Sequence, residues 1–371
     1  MNRVKLGDVA FERRETCKEG KEQYPIVGLE HLIPDQINLT EWSNDPETTF
    51  TKYFHKGDVL FGRRRAYLRK AVIAPFDGIC SGDITVISAI DGKITPELLP
   101  HIVQNEAFFD FAVGKSDGSL SPRVKWDKLE KYEFELPPLD EQKKLAEVLW
   151  SMVETKEAYR VLLQKTDDLV KSQFIDMITN VDAVPLLEVC STYGRGKTPK
   201  YVDTSRVRVL NQACIYWDGL HLENVKYYDE GRFNYDNALQ YGDVLLNSTG
   251  TGTLGRAHVF DVEDEFSYTA DSHVSVLRTV SNKMLPVVLQ YYFNNDFYQS
   301  ELYRTCVFGS TSQAELSKEA LARMPVPVIE IDKQKAFVEF VEQSDKSKLA
   351  LQQSLDAVNR LYKKIIAENL G

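Results

Sequence analysis

Residues 57–65 read GDVLFGRRR and residues 242–250 read GDVLLNSTG, the same four-residue opening at two places 185 positions apart. A turn leading into a strand could recur that way by chance. The neighbours argue otherwise. VKLGDV (4–9) resembles VPLLEV (184–189), and each GDVL is followed by strand-like sequence with a Gly- or Arg-rich start. Further on, DGSLSPRVKWDKLEKYEFELPPLDEQKK (117–144) matches FGSTSQAELSKEALARMPVPVIEIDKQK (308–335). The offset drifts from 180 to 192 while the order of landmarks holds, as loop insertions in a duplicated unit would produce.

The end of each copy is helical. From Asp140 to Ile178 there is no proline or glycine, and Leu145, Leu149, Met152, Tyr159, Leu163, Val170 and Met177 recur in steps of three and four or of their sum, seven. From Asp332 onward Phe337, Val341, Leu351, Leu355, Val358, Tyr362 and Ile365 repeat the series in the same register at an offset of 192, and Lys156 and Lys348 both fall on the seam. Such stripes are normally buried against another helix. Packing on the parent globule is the plainer alternative; two equal helices in equal register point instead to an antiparallel pair. Asp140 and Asp332 are available as N-caps. Between the helices, short β-type runs (KGDVLF, DITVISA, VRVLNQA, SHVSVLR) alternate with turn signals and with helical stretches at 96–113 and 285–303.

Composition narrows the class. The 371 residues are 43% apolar and 27% charged, with no run long enough for a membrane helix and no signal-peptide pattern. Five scattered cysteines without a C-x-x-C pair fit reduced thiols in a cytoplasmic chain. The net charge of −10 speaks at first against nucleic acid, but surface distribution decides, and no segment is a basic tail. GRGKT (194–198) lacks the earlier glycine of a P-loop, since Ser191 stands there. The only Pro-Pro follows Leu136, so the tetrapeptide of adenine methyltransferases is missing, and neither H-E-x-x-H nor G-x-S-x-G occurs. The chain is expected to be non-enzymatic, with no catalytic, cofactor or metal residues of its own.

On ELPPLDEQKKLAEVL (135–149), its echo PVPVIEIDKQKAFVEFV (325–341), the GDVL pair, YPIVGLEHL (24–32) and YGRGKTPKY (193–201), the sequence resembles the specificity subunit of Type I restriction–modification systems. The echo departs from the first block by an inserted IEI. The resemblance implies an α+β fold: two similar globular target-recognition domains, at 1–139 and 181–331, separated by two long helices, at 140–180 and 332–371. Those helices would pack as an antiparallel coiled coil, giving a pseudo-twofold internal repeat. It also implies a double-stranded DNA partner read as two half-sites with an unread gap set by helix length. Two methyltransferase subunits carrying S-adenosylmethionine would be bound, with restriction/translocase subunits in the full complex. A structural adaptor joining two protein-binding domains, or a catalytic restriction component, stand as the alternatives.

Residues that would meet DNA follow from local chemistry. Arg63, Arg65, Tyr67 and Lys70 come from GRRRAYLRK; Arg offers phosphates and guanine a bidentate fork, though a charge run is as often a solvated face. Strand alternation would put Arg63 and Arg65 on one face and Arg64 on the other. Ser121, Arg123 and Lys125 belong to a Gly-containing loop. The matching loop of the second copy offers Ser312 and Gln313, with a helix cap at Ser317 as the plainer reading of that stretch. Arg195, Lys197, Lys200, Asn247, Ser248, Thr249 and Arg256 complete the second set, where glycines would let backbone approach a phosphate.

Overall fold

The computed structural model describes residues 2–45, 47–309 and 314–371. The chain forms two compact units: residues 1–162 with 350–371, and residues 163–349. Each consists of a mixed globule and one portion of each long helix.

In the first unit a four-stranded antiparallel sheet runs Ala10–Glu12, Ile84–Ala89, Val59–Gly62, Ala71–Ile73 in spatial order. A second, smaller sheet holds a parallel pair, Ile26–Val27 beside Gly78–Cys80. In the second unit Cys190–Arg195, Val274–Thr279, Val244–Asn247 and Ala257–Val259 repeat the four-stranded order. A parallel pair, Val207–Leu210 beside Ser267–Ala270, repeats the other feature. A closing ribbon recurs as well: Asn2–Lys5 with Glu133–Leu136, and Ala183–Pro185 with Pro325–Pro327. Both helical stretches appear, as Leu99–Val103 and Glu106–Gly114, then Pro286–Asn294 and Asp296–Cys306.

The GDVL stretches do the same work twice. Gly57 and Gly242 have φ of +88° and +89°, a region open to glycine at little cost. The following aspartates, both buried, accept the backbone N–H three residues earlier, from His55 and Gln240, at 2.8 Å each. The Val-Leu that follows enters the central strand with no exposed surface to speak of.

Leu139–Ile178 and Ile331–Leu370 are α-helices of 40 residues each, so the inserted IEI shifts the second start without changing its length. At ~1.5 Å per residue each spans about 60 Å. Both begin one residue before the aspartate expected to cap them, so Asp140 and Asp332 lie in the first turn, where a carboxylate still favours the helix dipole. What fastens each start is a buried glutamine. Gln142 accepts from Thr95 N–H (2.8 Å) and donates to the Pro137 carbonyl; Gln334 accepts from Leu285 N–H (2.8 Å) and donates to the carbonyls of Lys283 and Ile329.

The helices pack on each other, antiparallel. In the first unit Ala146, Leu149 and Val153 share a core with Tyr362, Ile366 and Leu370. In the second, Val170 and Phe174 share one with Phe337 and Val341. The pairs Lys156–Tyr362 in one unit and Phe174–Phe337 in the other run in opposite chain directions. Leu163, Leu351 and Val358 of the expected stripe are only half-buried, so burial is deepest where each helix meets its globule. The seam lysines differ: Lys348 pairs with Asp167 and Asp345, whereas Lys156 lies 4.0 Å from the Tyr362 ring centroid.

Candidate nucleic-acid interface

In the first unit the central strand stops at Gly62, so the arginine run is not a strand and the expected alternation of faces does not exist. Arg63 continues instead as a bracket: its N–H donates to the Asp83 carbonyl and its own carbonyl accepts from Val124. Its Nε is buried without an acceptor. Arg64 donates to Ser121 Oγ at 2.6 Å and lies 3.5 Å from Asp83. Arg123 grips Asp83 with two bonds, 2.7 and 3.2 Å, and this grip holds the Asp83 carboxyl below its ordinary range. Arg65, in the left-handed region at φ +55°, opens a short turn, Ala66–Leu68, that presents Tyr67 half-exposed. Lys70 turns inward and donates to the Leu29 carbonyl at 2.7 Å. Ser121, Arg123 and Lys125 belong to a loop pinned by the Asp117–Arg123 bridge and by the Lys128–Asp117 ion pair. The structure thus brings Arg63, Arg65, Tyr67, Ser121 and Arg123 to one end of the sheet, with Lys125 just beyond.

The second unit builds the same end on other residues. Ser248 N–H donates to the His273 carbonyl and the Ser248 carbonyl accepts from Leu316, just as Arg63 is held by Asp83 and Val124. The bridge Arg64–Arg123 has its counterpart in Thr249–Glu315. By that frame Arg123 corresponds to Glu315, and Asp83 to His273. Asn247, Ser248 and Thr249 are buried. They bond to the Gln212 carbonyl, to Ser275 Oγ and to His273 Nδ1 respectively, so they organise the frame from inside. Burial holds the neighbouring Asp271 carboxyl above its ordinary range. Arg195 pairs with Glu315 (3.0 Å) and the Leu316 carbonyl; Lys200 reaches Asp229 at 3.7 Å. Gly196 approaches protein, not solvent: a Cβ there would meet the Ala270 carbonyl oxygen at 2.0 Å. Ser312 and Gln313 lie outside the described residues; nearby, Ser317 Oγ does cap Lys318–Arg323 by accepting from Ala320 N–H.

Among the described residues, six of the nominated cations have no carboxylate within ion-pair distance; with Lys70 turned onto the Leu29 carbonyl and the Nε of Arg63 buried, that leaves Arg65 and Lys125 in the first unit and Lys197 and Arg256 in the second. Those are the charges free to meet a polyanion, which resolves the acidic net charge into local positive points. Reading residue types alone missed Asp83 and His273, the hubs of the two ends, and the rings of Tyr216 and Trp217 beside Arg256. No motif marks them, because their neighbours come from distant segments. No helix of the described residues is long and apolar enough to cross a membrane.

Residues 1–160 match the family model of the Type I restriction modification DNA specificity domain. Among curated proteins, the Type I restriction enzyme EcoDI specificity subunit of Escherichia coli is 29% identical over 122 residues, 30% of this chain. That match spans 26% of the relative's length. Among solved structures, a chain described under complex assembly and conformational transition of the type I R-M system is 18% identical. It covers 99% of this chain and 97% of its own length, with a TM-score of 0.64. The Type-I restriction-modification system S subunit from M. genitalium is 11% identical, covering 98% of this chain and 94% of its own, with a TM-score of 0.57. At these identities the likeness is one of fold.

Proposed function

We propose, from a chain that belongs to the Type I restriction–modification specificity family, that it is a DNA-reading subunit with two recognition units and no chemistry of its own. The observation that supports this best is the duplicated end of the sheet. One backbone frame carries Arg64, Asp83 and Arg123 in the first unit and Thr249, His273 and Glu315 in the second. Two scaffolds alike with edges unlike suit a target of two dissimilar half-sites, each read in the major groove, where all four base pairs are distinguishable.

In this reading the long helices set the unread gap, and a methyltransferase partner supplies S-adenosylmethionine and methylates adenine. Restriction/translocase subunits join the same assembly, in the cytoplasm where the host genome is accessible. Phosphate affinity comes from Arg65, Lys125, Lys197 and the partner, because the frame arginines are spent on Asp83 and Glu315.

The test exchanges residues 184–331 for those of another family member and maps methylated adenines in the host genome. One half-site changes while the other persists. A four-residue insertion in 156–163, about one helical turn, lengthens the gap and leaves both half-sites intact. Altered half-sites with the old gap would overturn the reading. An adaptor would leave the salt dependence of DNA binding unmoved by Arg65→Ala. A DNA reader loses roughly one phosphate contact's worth of slope.

A further inference from the structure

We infer that Arg256, held over the rings of Tyr216 and Trp217, reads a guanine in the half-site of the second unit. This rests on the DNA-reading role proposed above and gives it one specificity-determining position. The segment YWDGLH (216–221) forms a tight hairpin: Ile215 bridges Leu220, Tyr216 N–H donates to the Gly219 carbonyl, and His221 N–H to that of Cys214. Its tip leaves the Trp217 indole 49% exposed beside the guanidinium. The Arg256 guanidinium lies 4.9 Å from the Tyr216 ring centroid and 5.8 Å from that of Trp217. Tyr216 is backed in turn by the His221 ring at 4.2 Å.

The guanidinium is therefore immobilised without being neutralised. Its Nη2 donates to the Gly252 carbonyl at 2.7 Å, its Nε is buried without an acceptor, and no carboxylate of the described residues pairs with it. With Nε buried, the terminal Nη1 and Nη2 are the groups left to donate, and their N–H bonds make the end-on fork that matches guanine O6 and N7. A phosphate contact needs only charge; two rings and a backbone carbonyl holding the group add direction, which a base edge rewards.

The first unit shows that this is a choice, not a requirement of the frame. Lys70 occupies the matching place, its carbonyl accepting from Gly62 N–H as that of Arg256 accepts from Asn247 N–H. There the ammonium is turned into the protein onto the Leu29 carbonyl.

The experiment expresses the full chain with its methyltransferase partner in a host without other adenine methylation and maps N6-methyladenine by single-molecule sequencing. The residue 184–331 exchange identifies the half-site that the second unit reads. In the wild type that half-site contains a guanine. Arg256→Lys keeps the charge and loses the fork, relaxing discrimination at that one position roughly tenfold to a hundredfold. Trp217→Ala relaxes the same position, and the other half-site and the gap stay as they were. The inference is overturned by an unchanged motif in folded variants, by a second half-site without guanine, or by weakening spread evenly over both half-sites, which marks a phosphate contact. Thermal midpoints report folding; should Arg256→Lys be destabilised, the exposed Trp217→Ala decides. A wild type with no two-part motif would instead overturn the DNA-reading role itself.

Discussion

Asp58 and Asp243 hold the same turn, buried at the head of the same central strand, yet their charges are met from different places. Asp58 accepts from Arg13, beyond the edge strand, at 2.7 and 3.3 Å, and from Ser88 on the neighbouring strand. Asp243 takes two bonds, 2.7 and 2.8 Å, from Arg278. Strand pairing sets Val59 opposite Ile87 and Val244 opposite Leu277, so Ser88 and Arg278 occupy one position in two copies. The guanidinium comes from beyond the edge strand in one copy and from the neighbouring strand in the other, while the buried carboxylate stayed. A buried charge must be paired; which segment supplies the partner is free. That freedom explains how two copies share a frame with so faint an echo in sequence.

The largest expected effect breaks this pair. Asp243→Ala leaves Arg278 partly buried and uncompensated, costing about 3 kcal/mol. Hydrogen exchange should accelerate in Val244–Asn247 and not in Val59–Gly62, with the reverse for Asp58→Ala. Equal acceleration in both strands would show that the two turns are not independent.

Next comes the glutamine clasp, where the copies are alike. Gln142→Ala and Gln334→Ala each orphan a buried N–H and at least one carbonyl, at about 2 kcal/mol. Both should loosen the first turns of their own helix equally in exchange measurements. A marked inequality would mean that the clasps only look equivalent.

Acid separates the units. His101 is fully buried, bonded to the Tyr362 hydroxyl, and burial holds its imidazole down at about 3. The unfolded chain takes a proton near 6.5 that the folded one refuses. Stability therefore falls as pH drops below about 6.5 and keeps falling toward 3, by about 1.4 kcal/mol per pH unit. The second unit presents Tyr291 to its seam lysine, and burial pushes that phenol up to about 12, out of the acid range. Exchange-monitored unfolding from pH 7 to 5 should weaken the first unit through this group, and His101→Tyr should remove that dependence.

The smallest effect has opposite signs. Burial, then Arg160 and Lys363, lowers Lys156 to about 8; burial works the same way on Lys348, but the hydrogen bonds it donates to Asp345 and Asp167 hold it above its ordinary value. Lys156→Met should stabilise by about 1 kcal/mol and Lys348→Met destabilise by as much, since the latter strands two carboxylates. Denaturant midpoints moving the same way in both variants would contradict the contrast.

Much of the architecture was legible because it depends on periodicity and on turn chemistry. Gly57 and Gly242 announce a positive φ, the seven-residue stripes announce paired helices, and repetition in order announces two units. Of the candidate interface less could be read. Arg63, Arg65 and Tyr67 were nominated through residue type, but the strand ends before them, and a strand's end is set by what brackets it. Asn247, Ser248 and Thr249 read as polar and available; the fold buries them as internal bonds. Their partners, Gln212, Ser275 and His273, lie 24 to 35 residues away along the chain, so whether these side chains face solvent is settled by other segments.

The sequence by itself determined the duplication, the helix pair and the α+β class, since these follow from local preference and the spacing of apolar side chains. Tertiary structure alone decided which charges are spent internally and which remain free. Pairing is a matter of distance in space, so Arg123 falls to Asp83 and Arg195 to Glu315, while Arg256, against its two rings, keeps its charge for something outside the chain.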